Sequence, residues 1–410
     1  MARVLRNAGW LTASHMAGYA IPLIELPILT RALGPEAYGK MLFAQSLALA
    51  SSLVVEYGFN LSASRSVARN RDDQAYLRLL FGSVFLAKLI ITLILLVLAV
   101  LFYGIEAPEL AAFDLGLGAA GFLFFLAFGF SPFWYFQGTE RMLGPVALDL
   151  TLRFAGVLLL YLFVREPSDA VLALAVLATM GVCNTLITTA WALKLIGVPR
   201  FELRHAWRQV HEGWHTFVYR SSNSVLLSAS PAVLGFSAGS LATGIFVPAE
   251  KLIRASTGLA LPVLTAFFPY LSRLASSQSR LGNGHGWMLV SVLTFGGVIG
   301  AFLLWQLAPW LIRLLAGDGF EASVGLLSVF VWLIPLRMLS QSLGLAILLP
   351  QGDERFASYA LICSAFFAIL LGVFLSGIYG ASGMVVALLV AELMLVIALL
   401  SRTYKGLPAK

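Results

Sequence analysis

The chain has 410 residues, of which 60% are hydrophobic and only 11% charged, and its mean hydropathy is +0.89. Soluble domains run near half apolar and about a quarter charged, so this composition lacks the polar surface that water requires and excludes a soluble globular protein. At roughly 34 residues for each span with its connection, the length holds about twelve membrane helices and no soluble catalytic domain of ordinary size. Two cysteines, Cys183 and Cys363, both lie inside apolar runs and leave no disulfide framework or zinc set. The net charge of +7 raises nucleic acid as a partner, a question that the placement of the charges decides.

In chain order, the first apolar run extends from Asn7 to Ile24 with no small-residue cleavage site before Glu25, and it reads as a retained helix, not a signal peptide. The predicted spans are 8–29, 39–57, 79–103, 113–136, 146–164, 170–193, 216–236, 243–270, 287–308, 322–345, 357–376 and 381–401, with the turn Gly377-Ile378-Tyr379-Gly380 separating the last two. With the N-terminus inside, the inner connections and termini carry nineteen Lys and Arg and the outer ones only Arg31, Lys40, Arg165 and Arg313. Cytoplasmic segments retain positive charge, so both termini are expected in the cytoplasm. The basic pI of 9.5 then reflects topology and contact with anionic lipid headgroups, not nucleic acid.

The sequence also repeats at half its length. Gly34-Pro35-Glu36-Ala37-Tyr38-Gly39 matches Gly239-Ser240-Leu241-Ala242-Thr243-Gly244 at an offset of 205, and Gln137-Gly138-Thr139-Glu140-Arg141 recurs as Gln351-Gly352-Asp353-Glu354-Arg355 at 214. Each pair occupies the same place in its half. The expected architecture is an all-α polytopic membrane protein of about twelve transmembrane helices in two pseudo-symmetric six-helix lobes around a central cleft, as in alternating-access transporters. The lobes are 1–200 and 217–410, joined by a cytoplasmic interfacial linker at 201–216.

Several patterns imitate other chemistry. Gly34-x4-Gly39-Lys40 resembles a phosphate loop, but an apolar helix precedes it and Met41 stands where a magnesium-binding hydroxyl is needed. Gly116-x-Gly118-x-x-Gly121 opens an apolar helix, where close packing is its use. No nucleotide site is found in the sequence. His205, His211 and His215 stand beside Trp207 and Trp214 without a completing Asp or Cys, and read better as an interfacial amphipathic helix than as a metal site.

The informative residues are the ionisable ones inside spans: Glu25, Lys88, Glu250, Lys251, Arg254, Arg337 and Glu392. Each costs about 2.5 to 3.5 kcal/mol at a helix centre, so they are expected to face a cleft or one another. Glu250, Lys251 and Arg254 share an arc of about 100° on one helix, with Arg254 some 16 Å deep. One reading is a Glu250–Arg254 pair that only ties helices together. The other is that Lys88, Lys251, Arg254 and Arg337 make the cleft electropositive and suit a phosphate-bearing or acidic solute. Glu25, two residues before Pro27, either binds a coupling ion at a hinge or neutralises a cation. Glu250 and Glu392 are further ion-coupling candidates, and Glu392 also fits a structural role.

The segments Asn7 with Trp10, Arg31-Ala32-Leu33-Gly34-Pro35 with Tyr38-Gly39, Glu56-Tyr57-Gly58-Phe59-Asn60-Leu61-Ser62-Ala63-Ser64-Arg65 and Ser131-Pro132-Phe133-Trp134-Tyr135-Phe136-Gln137-Gly138 resemble the bacterial polysaccharide transporter family. These are the O-antigen and exopolysaccharide flippases of the multidrug, oligosaccharidyl-lipid and polysaccharide exporter superfamily. The resemblance implies movement of an undecaprenyl-pyrophosphate-linked oligosaccharide from the cytoplasmic to the periplasmic leaflet of the bacterial inner membrane by alternating access, coupled to an H+ or Na+ gradient. It implies membrane lipids, a polysaccharide polymerase and chain-length machinery as partners. Arg254, Lys251, Lys88 and Arg337 would then contact the pyrophosphate or acidic sugars, Arg220 would help loading, and Glu25 would take the coupling ion. A drug or metabolite cation antiporter of the same superfamily is the alternative, but it should prefer carboxylates in its cleft. A glycan ligase or polymerase would need a sizeable external loop, and the longest outer connection has about a dozen residues.

Overall fold

The computed structural model describes residues 2–105, 114–258, 260–276 and 280–405; for 2–17, 102–105, 212, 214–228, 261, 265–266, 269, 275–276, 280–283 and 405 it describes the backbone alone. Among the described residues every regular element is a helix. The order is α1 (Ala2–Glu56), α2 (Phe59–Arg69), α3 (Gln74–Ile105), α4 (Leu115–Gly129), α5 (Phe133–Gly138), α6 (Leu143–Phe163) and α7 (Ala170–Ile196). Then follow α8 (Leu203–Gly258), α9 (Ala260–Ser276), α10 (Arg280–Leu315), α11 (Glu321–Phe330), α12 (Leu333–Ser342), α13 (Glu354–Tyr379) and α14 (Ala381–Lys405). A π-helical turn, Leu343–Leu348, extends α12.

Ten helical stretches among the described residues are long and apolar enough to cross a membrane. Two of them are interrupted, α1 at Gly34 (φ 67°, ψ 174°) and α8 at Gly239 (φ 84°, ψ 179°). That backbone region is open essentially to glycine alone. A break at each glycine separates two spans, so the ten stretches are compatible with about twelve passes. Apolar side chains stand exposed along α3 (Leu93, Ile94, Val97, Leu98) and α10 (Val292, Phe295, Ile299, Phe302), as surfaces that meet hydrocarbon do. The helix that begins α8 at Leu203 runs on unbroken to Gly239, with Val198, Phe201, Leu203 and Trp207 exposed at its start among Arg200, Arg204 and Arg208.

The chain forms two compact units. The first takes Met1–Ile21 and Lys40–Ala229, the second Pro22–Gly39 and Ser230–Lys410. In the first, α2 packs on α5, and α7 lies against both α4 and α6. Its core gathers Phe59, Val67, Leu80, Phe81, Trp134, Phe136 and Val146. The turn after α5 is held by Arg71, whose Nη2 donates to the Gly138 carbonyl at 3.3 Å and pairs with Glu140 at 3.0 Å. In the second unit α13 packs on α14, and α12 lies against α10 and α14. The repeated turn before α13 is held in the same manner, by Arg402 forked onto Asp353 at 2.7 and 3.1 Å. Arg31 Nη2 donates to the Leu314 carbonyl at 2.8 Å, and Thr30 to Leu315 at 3.3 Å, so α1 satisfies carbonyls left open at the C-terminus of α10.

The half-length repeat has a direct physical meaning in the second unit. A Cβ on Gly39 would stand 1.8 Å from the Ser240 carbonyl oxygen, and a Cβ on Gly244 would stand 1.9 Å from that of Pro35. Pro35 and Ser240 are equivalent under the 205-residue offset, as are Gly39 and Gly244. The two approaches are therefore one backbone crossing seen from its two sides. The first glycine of each repeat turns the chain and the last lets the two turns touch.

Gly39→Ala or Gly244→Ala must push backbone apart, and each is expected to cost about 3 kcal/mol by overpacking. Gly300→Ala, with open space around its Cβ, is the control and should stay within about 0.5 kcal/mol of the parent. Thermal unfolding in detergent checks this, and equal Tm values for all three variants would contradict the crossing.

Candidate functional site

The polar interior of the second unit is built from α8 outward. Glu250 is the buried centre, only 3% exposed, and one turn on Arg254 places both Nε (3.0 Å) and Nη2 (2.8 Å) on one of its carboxylate oxygens. The i, i+4 spacing read from sequence is thus an ion pair. A carboxylate in this setting is costly without compensation, and Lys251 and Arg337 also act on it electrostatically. Arg337 comes from α12 and is itself buried.

Lys251, beside Glu250, turns toward α1. Its Nζ donates to the Pro22 carbonyl at 3.4 Å and lies 5.7 Å from the centroid of the Tyr38 ring. Tyr38 is fully buried, packs edge-on to Phe320 at 6.3 Å, and lies within electrostatic reach of Glu25 and Glu250. Pro22 and Pro27 both sit inside α1, so the ammonium is held where that helix lacks backbone donors. Glu25, Glu250, Lys251, Arg254 and Arg337 therefore belong to one polar neighbourhood of three cations and two carboxylates.

The remaining candidates divide. Glu392 on α14 is 3% exposed and accepts a hydrogen bond from the Ser340 hydroxyl, one turn beyond Arg337 on α12. The Ser340 hydroxyl also reaches the Arg337 carbonyl at 3.2 Å, so Glu392 adjoins the cluster through α12. Lys88 belongs to the first unit, where its Nζ donates to the Ser131 carbonyl at 3.3 Å and Glu56 is the carboxylate acting on it. Arg220 lies on α8, and its side chain is outside the described residues. Sequence reasoning missed Tyr38 and Glu56, which it read only as letters of motifs. Tyr38 stands next to Gly39, whose close approach was the available signal.

Within that pair, Arg254 is the more accessible member, with 29% of its side chain exposed against 4% for Glu250. A guanidinium that a carboxylate orients and that keeps part of its side chain exposed, near an ammonium, can take a phosphate group with both charge and geometry.

A family model for polysaccharide biosynthesis proteins matches residues 4–275, and the chain belongs to that family. It is 29% identical over 408 residues to a Shigella dysenteriae protein named "Putative O-antigen transporter", covering 96% of this chain and 98% of that one. Among solved structures, the lipid II flippase MurJ in an inward closed conformation superposes with a TM-score of 0.72 at 14% identity, over 98% of this chain and 88% of that one. An inward-facing multidrug resistance transporter of the MATE family gives 0.67 at 15% identity, over 95% and 96%. These two likenesses give the fold, an all-helical membrane transporter architecture.

The pairing of Glu250 and Arg254 has a measurable signature. Arg254→Leu leaves a buried carboxylate without its nearest partner and should destabilise by about 2 kcal/mol or more, while Glu250→Leu added to it should restore most of the loss. Chemical denaturation in detergent reads both, and strict additivity of the two changes would contradict the pair.

Proposed function

We propose that the protein is a flippase that carries a polyprenyl-pyrophosphate-linked oligosaccharide across the bacterial inner membrane, from the cytoplasmic to the periplasmic leaflet, by ion-coupled alternating access. The observation that carries this reading is the partly exposed Arg254, held by Glu250, on which Lys251 and Arg337 also act. Pyrophosphate requires cations that hydrocarbon would otherwise exclude, and this cluster brings three basic side chains together with only two carboxylates. Membership of the polysaccharide biosynthesis family and the name of the O-antigen relative support the cargo class. The lipid tail needs no protein site because it can remain in the bilayer.

In this reading Arg254, Lys251 and Arg337 take the pyrophosphate or acidic sugars, and Arg220 assists loading. Glu25, between Pro27 and the Pro22 whose carbonyl Lys251 holds, takes the coupling ion. Both termini are cytoplasmic, and the delivered lipid-linked unit is the substrate for a polysaccharide polymerase and its chain-length machinery.

Depletion of the protein should trap lipid-linked oligosaccharide in the cytoplasmic leaflet, measured by its protection from externally added glycosidase. An unchanged leaflet distribution accompanied by altered tolerance to cationic drugs would transfer the protein to the antiporter reading. At normal expression Arg254→Ala should abolish complementation and Arg254→Lys should retain part of it; full activity of the Ala variant removes Arg254 from the mechanism.

A further inference from the structure

The connection that leads from α7 into α8 is stapled to the start of α3, and a cavity opens beside the staple. Arg78 on α3 donates from Nε to the Ile196 carbonyl at 2.6 Å, which satisfies one of the carbonyls left over at the C-terminus of α7. The Arg200 N–H donates to the Arg78 carbonyl at 3.1 Å, and the Arg200 carbonyl lies so close to Gly82 that a Cβ there would stand 2.1 Å away. The backbone of Arg200 is thereby fixed on both sides while its side chain stays exposed. Two ring contacts complete the attachment, Phe201 with Phe85 at 6.4 Å and His205 with Tyr76 at 6.2 Å.

The cavity has a volume of about 660 Å³, and Asp73, Tyr76, Leu79, Arg200, Phe201 and Glu202 are among its lining residues. Its charged groups are one guanidinium and two carboxylates, and among the described residues none of the three takes part in an ion pair. Asp73 is committed to the N-terminus of α3, where it accepts from the Tyr76 N–H at 2.9 Å. Arg200 and Glu202 are left as one positive and one negative group at the same opening. The surface beside it is apolar. Val198, Phe201, Leu203 and Trp207 are 60% to 81% exposed, whereas Ala206 and Gln209, on another face of the α8 start, are buried. Large apolar side chains exposed to that degree, with Arg200 and Arg204 between them, belong at the boundary of hydrocarbon and headgroups. The staple also joins the ends of α3 and α7, both long and apolar enough to cross a membrane, so the cavity lies where two spans reach that boundary.

We propose that this cavity holds the headgroup of a zwitterionic phospholipid with a primary ammonium, a phosphatidylethanolamine, with Arg200 on the phosphodiester and Glu202 on the ammonium. The phosphodiester carries one negative charge, which the guanidinium meets with charge-assisted hydrogen bonds. The ammonium carries one positive charge and three N–H donors, for which the carboxylate is the acceptor. The charges close one to one. A purely anionic headgroup would satisfy Arg200 but stand against Asp73 and Glu202. A trimethylammonium headgroup has no N–H to donate and would leave Glu202 without a hydrogen bond. Leu79, Phe201 and the exposed apolar side chains beside them meet the acyl chains, which makes the occupant a lipid and not a free headgroup. The bound lipid braces the connection through which the chain enters α8. This binding requires no cargo and stands apart from the flippase reading.

The test offers the full chain, purified in detergent and stripped of lipid, an equimolar mixture of dioleoyl phosphatidylethanolamine, phosphatidylcholine and phosphatidylglycerol, and reads the retained lipid by native mass spectrometry. Phosphatidylethanolamine should be retained over each of the others by about threefold or more, the scale of charge pairs at a partly exposed site. Arg200→Gln and Glu202→Gln should each bring its ratio to phosphatidylcholine near one. Arg355→Gln, an equal loss of charge at an exposed position of the second unit, should leave that ratio unchanged. Because Arg200 and Glu202 are exposed and make no ion pair, the Tm of both variants without lipid should match the parent. Added phosphatidylethanolamine should raise the Tm of the parent and leave those of the two variants in place. Equal retention of the three lipids by the parent, a preference for phosphatidylglycerol, or an undiminished preference in either variant overturns the proposal.

Discussion

The cost of placing an ionised side chain in hydrocarbon governs this molecule. Each charge inside a span must be offset by an opposite charge, a carbonyl or a hydroxyl, or it destabilises insertion by a few kcal/mol. Glu250 is met by Arg254, with Lys251 and Arg337 acting on it, Lys251 by the Pro22 carbonyl and the Tyr38 ring, and Glu392 by Ser340. Lys88 is met by the Ser131 carbonyl, with Glu56 acting on it. These partnerships pin helices that otherwise offer each other only apolar faces, for which lipid is an equal competitor. They also leave charge poised in the interior, which is what a carrier of a charged headgroup needs.

Glycine solves the complementary problem of bringing backbones together. At the junction of the repeated segments, Gly34 and Gly239 supply the same extended, positive-φ turn, and Gly39 and Gly244 permit a mutual approach that any side chain would forbid. The outer part of α1 consequently belongs to the second unit, where Arg31 and Thr30 fasten it to the end of α10. Tyr38 is carried on that same segment, so the crossing that positions the backbone also delivers an aromatic face to Lys251.

The spans, the half-length repeat and the Glu250–Arg254 pair were legible in the sequence because each depends on spacing alone: apolar run length, a fixed offset, and the i, i+4 step of a helix. The helix breaks at Gly34 and Gly239 were legible as turns for the same reason. What escaped was the identity of partners distant in sequence. Lys88 reads as one more span cation, and nothing in its neighbourhood of sequence announces Ser131 or Glu56, which arrive from two other helices at points where those helices fail. Tyr38 was hidden by its apolar and turn-rich context. The hydrogen bond from Ser340 to Glu392 joins helices 52 positions apart, and one serine among many gives no signal.

The central claim is that the cluster around Arg254 recognises an anionic headgroup. Native mass spectrometry of the purified protein, offered an equimolar mixture of polyprenol and polyprenyl pyrophosphate, tests it without requiring transport. The protein should retain the pyrophosphate lipid in clear preference, and the doubly substituted Glu250→Leu/Arg254→Leu protein, folded but without the guanidinium, should lose that preference. Equal retention of the two lipids by the unaltered protein, or an undiminished preference in the double variant, would contradict the account.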